Sequence, residues 1–283
     1  MRTSKTALIT NVQRFSLDDG PGIRTTIFFK GCTLKCKWCH NPETINPYNE
    51  LVYYKEKCLH CKTCVSCCPV HAITMDEKKI ILQKEKCIKC FRCVQECPSS
   101  ALEKTAYNYA VEDVWDIVKK DIQFYKKSGG GITFSGGEPA LWADWILDMS
   151  NYMKSKGICL HLALDTAGNV PWKQYEKLLD VIDLYLFDIK IMNDDLHIEM
   201  TKSSNQLLHS NFEKLLSLKK RIWVRTPVIP GVNDCEPEIS LRNRYLNEKS
   251  IERIELLPYH AYGVAKYEAL GIPYELEINE KKQ

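Results

Sequence analysis

"KGCTLKCKWCHNPE", Lys30–Glu43, sets Cys32, Cys36 and Cys39 in C-x₃-C-x₂-C spacing, with Trp38 immediately before the last thiol. Four thiolates would close a structural metal site; three leave one coordination position open. Two readings fit the spacing. A zinc ion could be completed by His40 or by a remote ligand. Alternatively, a metal centre keeps its fourth position for a reactant, which is what separates catalytic from structural centres.

Working outward, the 283-residue chain has room for one large α/β domain, or for one such domain with a small insert. Its 39 basic and 36 acidic residues give a net charge of +3, which offers no case for nucleic acid or an anionic membrane as partner. No apolar run approaches the ~20 residues of a membrane span. The opening "MRTSKTALITNVQRF" has too short an apolar stretch for a secretory signal, so a cytoplasmic location is expected. In that reducing compartment, fourteen cysteines read as metal or cluster ligands rather than as a disulfide framework. Twelve of them lie between Cys32 and Cys97. Cys159 and Cys235 stand apart and are expected to be a buried small hydrophobe and a loop thiol.

The densest stretch is an internal repeat. "KEKCLHCKTCVSCCPVHAI" from Lys55 superposes on "KEKCIKCFRCVQECPSSAL" from Lys84. Cys58, Cys61, Cys64 and Cys68 then align with Cys87, Cys90, Cys93 and Cys97, and Pro69 aligns with Pro98. A short C-x₂-C-x₂-C loop can wrap three corners of a cubane while a more distant residue supplies the fourth. The repeat register favours Cys68 over Cys67 as ligand. Paired structural zinc sites are the alternative. Each half resembles the C-x₂-C-x₂-C-x₃-C-P run of bacterial ferredoxins with two 4Fe–4S clusters, in which the fourth cysteine serves the other cluster. That resemblance implies one cluster on Cys58, Cys61, Cys64 and Cys97, and a second on Cys87, Cys90, Cys93 and Cys68.

Beyond the repeat, "GGGITFSGGEPAL" from Gly129 places a glycine-rich turn after a short β-like run. With the triad it resembles the signature of radical S-adenosylmethionine (SAM) enzymes, in which three cysteines bind a 4Fe–4S cluster and the fourth iron takes the amino and carboxylate groups of SAM. "FSLDDGPGIRTTIFFKGC" (Phe15–Cys32), "LDTAG" (from Leu164), "LFDIK" (from Leu186), "VRTPVIPGVND" (from Val224) and "IELLPYH" (from Ile254) narrow the likeness. The chain resembles the activating enzymes of glycyl radical enzymes from Ile9 to about Tyr274.

The resemblance implies specific roles. Trp38, Cys39 and His40 would lie along bound SAM. Gly136, Gly137 and Glu138 form the GGE turn, whose backbone beside the glycines meets the amino group. Asp188, Ile189 and Lys190 would face the methionine moiety, with Lys190 among the catalytic groups, and His260 the adenosine. Asp165 and Asp188 would hold a monovalent cation beside the methionine carboxylate, because two carboxylates would otherwise repel that anionic ligand. Arg225 is a candidate partner for the same carboxylate. Asp19 would meet the glycine loop of the partner enzyme.

Helical and strand-like stretches alternate after the insert. "VEDVWDIVKKDIQFYKK", "ADWILDMSNYMKSKG", "WKQYEKLLDVID", "NQLLHSNFEKLLSLKK" and "EISLRNRYLNEK" read as helices between strands such as "GITFSG", "ICLHLALDT" and "LYLFDIK". Repeated βα units predict a parallel sheet covered by helices. By resemblance, the α/β fold is a partial (β/α)₆ barrel of the radical SAM type, with residues 1–50 and 105–283 as its two parts. Residues 51–104 would be an inserted ferredoxin-like domain with two 4Fe–4S clusters. Relatives continue with a further helix and strand after "ALG" whereas this chain stops at Gln283; a shorter natural terminus and a truncated chain both fit, and the sealing of the barrel's open edge stays an open question.

The function so implied uses three 4Fe–4S clusters and SAM. A flavodoxin or ferredoxin supplies an electron, SAM is cleaved to methionine and a 5′-deoxyadenosyl radical, and that radical takes the α-hydrogen of one glycine in the partner. Two alternatives remain open: a radical SAM enzyme acting on a small molecule or peptide, and a non-catalytic iron–sulfur electron-transfer protein.

Overall fold

The computed structural model describes residues 6–77 and 79–276. Twelve strands lie among the described residues: β1 (Thr6–Ser16), β2 (Arg24–Phe29), β3 (Leu51–Tyr53), β4 (Ile73–Asp76), β5 (Lys79–Leu82) and β6 (Leu102–Lys104), then β7 (Tyr107–Ala110), β8 (Gly131–Gly136), β9 (His161–Thr166), β10 (Leu184–Asp188), β11 (Ile222–Val228) and β12 (Arg253–Pro258). Eight form one sheet in the order β12-β11-β10-β9-β8-β2-β1-β7. The six from β2 to β12 pair in parallel, and β1 pairs antiparallel with β2 and β7.

Sequence explains the burial. "LYLFD" in β10 and "GITFSG" in β8 are near-continuous apolar or small runs, and all but the last residue of each is buried. That is the signature of parallel strands covered on both faces. The helix Ala143–Ser155 covers one face with Trp145, Ile146, Met149 and Met153, and Gln206–Ser217 does so with Leu208, Phe212 and Leu215.

Parallel register carries distant residues to one end of the sheet. Leu186 pairs with Asp165, and Asp188 with Arg225. Ser135 follows Phe134, which pairs with Leu164. Ser135, Asp165, Asp188 and Arg225 thus cluster at the C-terminal strand ends, where parallel α/β sheets place their sites.

Two sequence expectations change. The stretch from Val111 breaks into Val111–Val118, a 3₁₀ turn at Lys119–Asp121, and Ile122–Ser128. At the break, buried Asp121 accepts two bonds of 2.6 Å from the Arg14 guanidinium. Cys159 is exposed rather than buried, because it lies in the turn after the helix ending at Ser155 and before β9.

Residues 51–104 fold around their own apolar cluster of Leu51, Ile73, Ile80, Cys93 and Leu102. β3 pairs with β6 at the base, and β4 with β5. The repeat reproduces its backbone as well as its sequence. Left-handed φ angles recur at His60 and Lys89 (54° and 55°), Lys62 and Phe91 (62° and 57°), and His71 and Ser100 (49° and 52°). Non-glycine residues rarely adopt this conformation, and a strained conformation kept at matched positions marks a functional loop. The chain end noted in the sequence, residues 277–283, lies outside the described residues.

Candidate active site

The loop carrying the triad leaves the end of β2 and is pinned on all sides. Gly31 N–H donates to the Thr44 carbonyl (2.6 Å) and Cys32 N–H to that of Ile45 (2.9 Å). Lys35 and Lys37 N–H groups donate to the carbonyls of Thr201 and Met200. Lys30 is fully buried; its Nζ donates to the Glu43 carbonyl (2.6 Å) and pairs with Glu50 (3.3 Å). Lys266, from the helix Val264–Leu270, reaches Asn41 and Glu43 at 2.7 Å each. A spacing motif in the sequence is therefore a rigid loop in the fold.

The glycine pair explains how β8 approaches this loop. A methyl group on Gly137 would sit 2.2 Å from the Gly31 carbonyl oxygen, and one on Gly136, whose φ is +109°, would sit 2.3 Å from Phe29 N. Neither position admits a side chain. Gly137 N–H donates to the Phe29 carbonyl (2.9 Å) and Glu138 N–H to that of Gly31 (2.8 Å), so the turn is bonded to the base of the triad loop.

Glu138 points inward. Its fully buried carboxylate accepts bonds from Thr166 Oγ1 (2.7 Å), Ala140 N–H (3.2 Å) and Ala167 N–H (3.0 Å). Burial lifts its pKa to about 7 despite those donors. Trp38 also serves the framework, its indole buried among Ile191, Met200, Ile229 and Leu276.

The half-buried thiols of Cys32, Cys36 and Cys39 are free of disulfides. Burial, reinforced by the neighbouring thiols, raises the pKa of Cys32, and that of Cys39 to about 12; burial also raises Cys36, against the pull of Lys190. Such thiols release their protons when a cationic centre takes their place, so the donor set fits an iron–sulfur cluster. Among the described residues no three His, Cys, Asp or Glu side chains gather around one point as ligands of a single ion.

Charged strand ends face the triad. Lys190 pairs with Asp188, and although burial opposes its charge, Asp188, Cys36 and Asp165 hold its pKa above the ordinary range. Arg225 lies 3.3 Å from Asp165, which also accepts from Ser135 Oγ (2.7 Å). Burial raises Asp165 to about pKa 6, with Arg225 opposing and Asp188 adding. Asp19 accepts from Thr26 Oγ1 (2.6 Å), and with Asp165, Asp188 and Glu255 it keeps Arg225 charged despite burial. Ile189 is buried, its N–H donating to the Arg225 carbonyl (2.9 Å). His260 stacks on His40 with centroids 4.0 Å apart, and a methyl group on Gly263 would sit 2.9 Å from His40 Cα.

Two further cavities lie in the insert. One is lined by Cys58, Cys61, Cys64 and Cys97, the other by Cys68, Cys87, Cys90 and Cys93; Cys67 lines neither.

Several contributors escaped the sequence reading. Arg24 is fully buried and donates to Thr133 Oγ1 and to the Ile132 and Pro21 carbonyls, knitting the D-G-P-G-I-R turn to β8. Lys30, Ser135, Glu255 and Lys266 carry no local signal, because their partners are distant in sequence. Arg24 had one, its place in a quoted motif.

The Radical SAM superfamily profile matches residues 26–243, which span the triad, the glycine pair and the charged strand ends. Trans-4-hydroxy-L-proline dehydratase activating enzyme of Clostridioides difficile is 45% identical over 95% of this chain and 90% of its own length. Choline trimethylamine-lyase activating enzyme of Oleidesulfovibrio alaskensis is 38% identical over 96% and 90%. A radical SAM methyltransferase of Sphaerobacter thermophilus shares the fold, at a TM-score of 0.50 and 15% identity over 94% of this chain and 75% of its own. The chain belongs to the radical SAM superfamily and, within it, to the family of glycyl radical enzyme activating enzymes. Membership implies a 4Fe–4S cluster and SAM. No described helix is long and apolar enough to cross a membrane.

Proposed function

We propose that this chain installs a glycyl radical in an eliminating glycyl radical enzyme, and that Cys32, Cys36 and Cys39 hold the cluster that does so. The observation that carries the reading is the pinned triad facing Asp188, Lys190, Asp165 and Arg225 at the strand ends. With cluster and SAM bound, the pair supplies reductive cleavage to methionine and the 5′-deoxyadenosyl radical, which takes a glycine α-hydrogen from the partner.

The protein's own groups bind, orient and shield. Lys190 and Arg225 present cationic donors where a methionine carboxylate would enter. Asp165 and Asp188, already paired, take a monovalent cation when that carboxylate draws Arg225 or Lys190 away. The carbonyl side of the Gly136–Gly137 turn is left for the amino group, since the Gly137 N–H is used by Phe29. His40 and His260 form the wall for adenosine, and Asp19 meets the partner's glycine loop. Glu138 and Trp38 brace the site from behind.

We read the sheet as a partial (β/α)₆ barrel formed by residues 1–50 and 105–283, and residues 51–104 as a ferredoxin-like insert. Two auxiliary 4Fe–4S clusters fit its two four-cysteine cavities: Cys58, Cys61, Cys64 and Cys97, and Cys87, Cys90, Cys93 and Cys68. A flavodoxin or ferredoxin would supply electrons in the cytoplasm. The similarity to a hydroxyproline dehydratase activator makes trans-4-hydroxy-L-proline dehydratase the first partner to test. Anaerobic incubation with that partner, SAM and dithionite is expected to give a glycyl radical signal by electron paramagnetic resonance. Abundant 5′-deoxyadenosine without any protein radical, across the partners of all these relatives, would favour a small-molecule or peptide substrate instead.

A further inference from the structure

Leu59 and Ile88 hold the same place in the two repeats, each directly after the first cysteine, and are 67% and 60% exposed. Each lines one cysteine cavity, so each is an apolar point between solvent and a candidate cluster. The next residue in each repeat, His60 or Lys89, is left-handed at matched φ angles of 54° and 55°. Large apolar side chains left exposed at the same place in both repeats are unusual where the protein has an apolar core nearby to accept them.

Charge is arranged around both points. Residues 51–104 carry ten Lys or Arg against six Asp or Glu, while the rest of the chain carries 29 against 30. The chain's positive surplus therefore resides in the insert. Lys57 and Lys62 flank Leu59; Lys86, Lys89 and Arg92 flank Ile88, and all five are exposed. Lys62, Lys89 and Arg92 also line the cavities, and the same segments expose Glu56, Glu85 and Glu96, so an approaching protein meets a surface that is cationic on balance. A small apolar contact on a surface with a positive surplus suits a short-lived complex that is steered by electrostatics and released quickly.

We propose that the insert is the docking face for a small acidic one-electron carrier protein, with Leu59 and Ile88 as its apolar contact points and the flanking lysines and Arg92 as its steering ring. This rests on the reading above that the two cavities hold redox clusters. One electron would leave the reduced carrier, oxidising it by one, and would reduce by one a cluster held by the cysteines behind Leu59 or Ile88. No bond is made or broken and no proton moves.

The test uses the anaerobically reconstituted full chain with a flavodoxin as probe. Two double variants are compared with wild type, Leu59→Ser/Ile88→Ser and Lys62→Glu/Lys86→Glu, each first checked for unchanged iron content. Flavodoxin affinity is titrated directly, and bleaching of cluster absorbance by reduced flavodoxin is followed by stopped flow. The apolar variant is expected to weaken binding and slow bleaching about tenfold or more, and the charge variant to lower association and flatten its salt dependence. Dithionite-driven 5′-deoxyadenosine formation should stay at the wild-type level in both. Unchanged flavodoxin affinity and bleaching in both variants would overturn the docking face. Should the first variant lose iron, the charge variant alone decides. A wild-type protein that binds flavodoxin here yet forms no 5′-deoxyadenosine with dithionite would instead sink the activase reading.

Discussion

The molecule holds cysteines in two kinds of setting. In the insert they come in fours, in cavities lined mainly by Leu51, Ile73, Ile80, Met75 and Leu102. At the strand ends they come in three, and the surrounding residues are charged: Asp188 with Lys190, Asp165 with Arg225. Four thiols among apolar walls, with Cys58, Cys61 and Cys68 sulfurs accepting from His60 N–H, Thr63 Oγ1 and Ala72 N–H, would suit a centre that stores and passes electrons. An open corner among paired charges suits a centre that must bind an amino acid moiety. On the function proposed above, ligand number and the polarity of the walls would separate relay from chemistry within one chain.

The most forceful way to break that contrast is Gly137→Ala. Its methyl group would meet the Gly31 carbonyl at 2.2 Å, with backbone on both sides. Relief requires the triad loop to move, so we expect destabilisation of about 2 kcal/mol or more and loss of 5′-deoxyadenosine formation. Thermal unfolding and product assay on the reconstituted protein check this. An unaffected variant would show that the close contact is not needed.

Lys190→Met comes next. It leaves Asp188 beside the triad without its partner, so affinity for SAM should fall by about tenfold or more, while iron content stays near that of wild type. Equilibrium binding of SAM to the holoenzyme reads the effect.

A smaller effect is expected at Glu138, whose folded pKa of about 7 exceeds the 4.5 of an ordinary glutamate. The folded state therefore retains a proton that the unfolded chain releases, and this contribution weakens stability as pH rises from about 4.5 to 7. Glu138→Gln should remove that slope: relative to wild type, the variant gains stability at about pH 8 compared with about pH 5. Parallel unfolding curves at both pH values would contradict the shift. Cys67→Ser is the smallest change, since Cys67 lines neither cavity. Iron content should not change; loss of one cluster's iron would make Cys67 a ligand.

Legibility in the sequence followed locality. The triad, the tandem repeat and the βα alternation are short-range patterns, and the described strands β8, β9 and β10 fall within the stretches read as strands. The glycine pair was recognisable as a place of close approach, and in the fold the Phe29–Gly31 backbone lies against it. Trp38 and Glu138 hold motif positions in the sequence, but which way their side chains point is set by tertiary packing, which turns both inward. Arg24 and Lys30 are the deeper failure. A fully buried cation contradicts the usual surface preference, and only partners on β8 and on the 43–50 segment make it tolerable. The break at Asp121 was invisible for the same reason, as its partner Arg14 is 107 residues away.

The measurement that tests the central claim most directly is 5′-deoxyadenosine formed anaerobically from SAM and dithionite by three reconstituted proteins: wild type, Cys36→Ala, and Cys61→Ala/Cys90→Ala. If the triad does the chemistry, Cys36→Ala forms none while the insert variant, though short of iron, keeps most of the wild-type yield. Product from Cys36→Ala at the wild-type level, or its loss only in the insert variant, would contradict the division of labour drawn here.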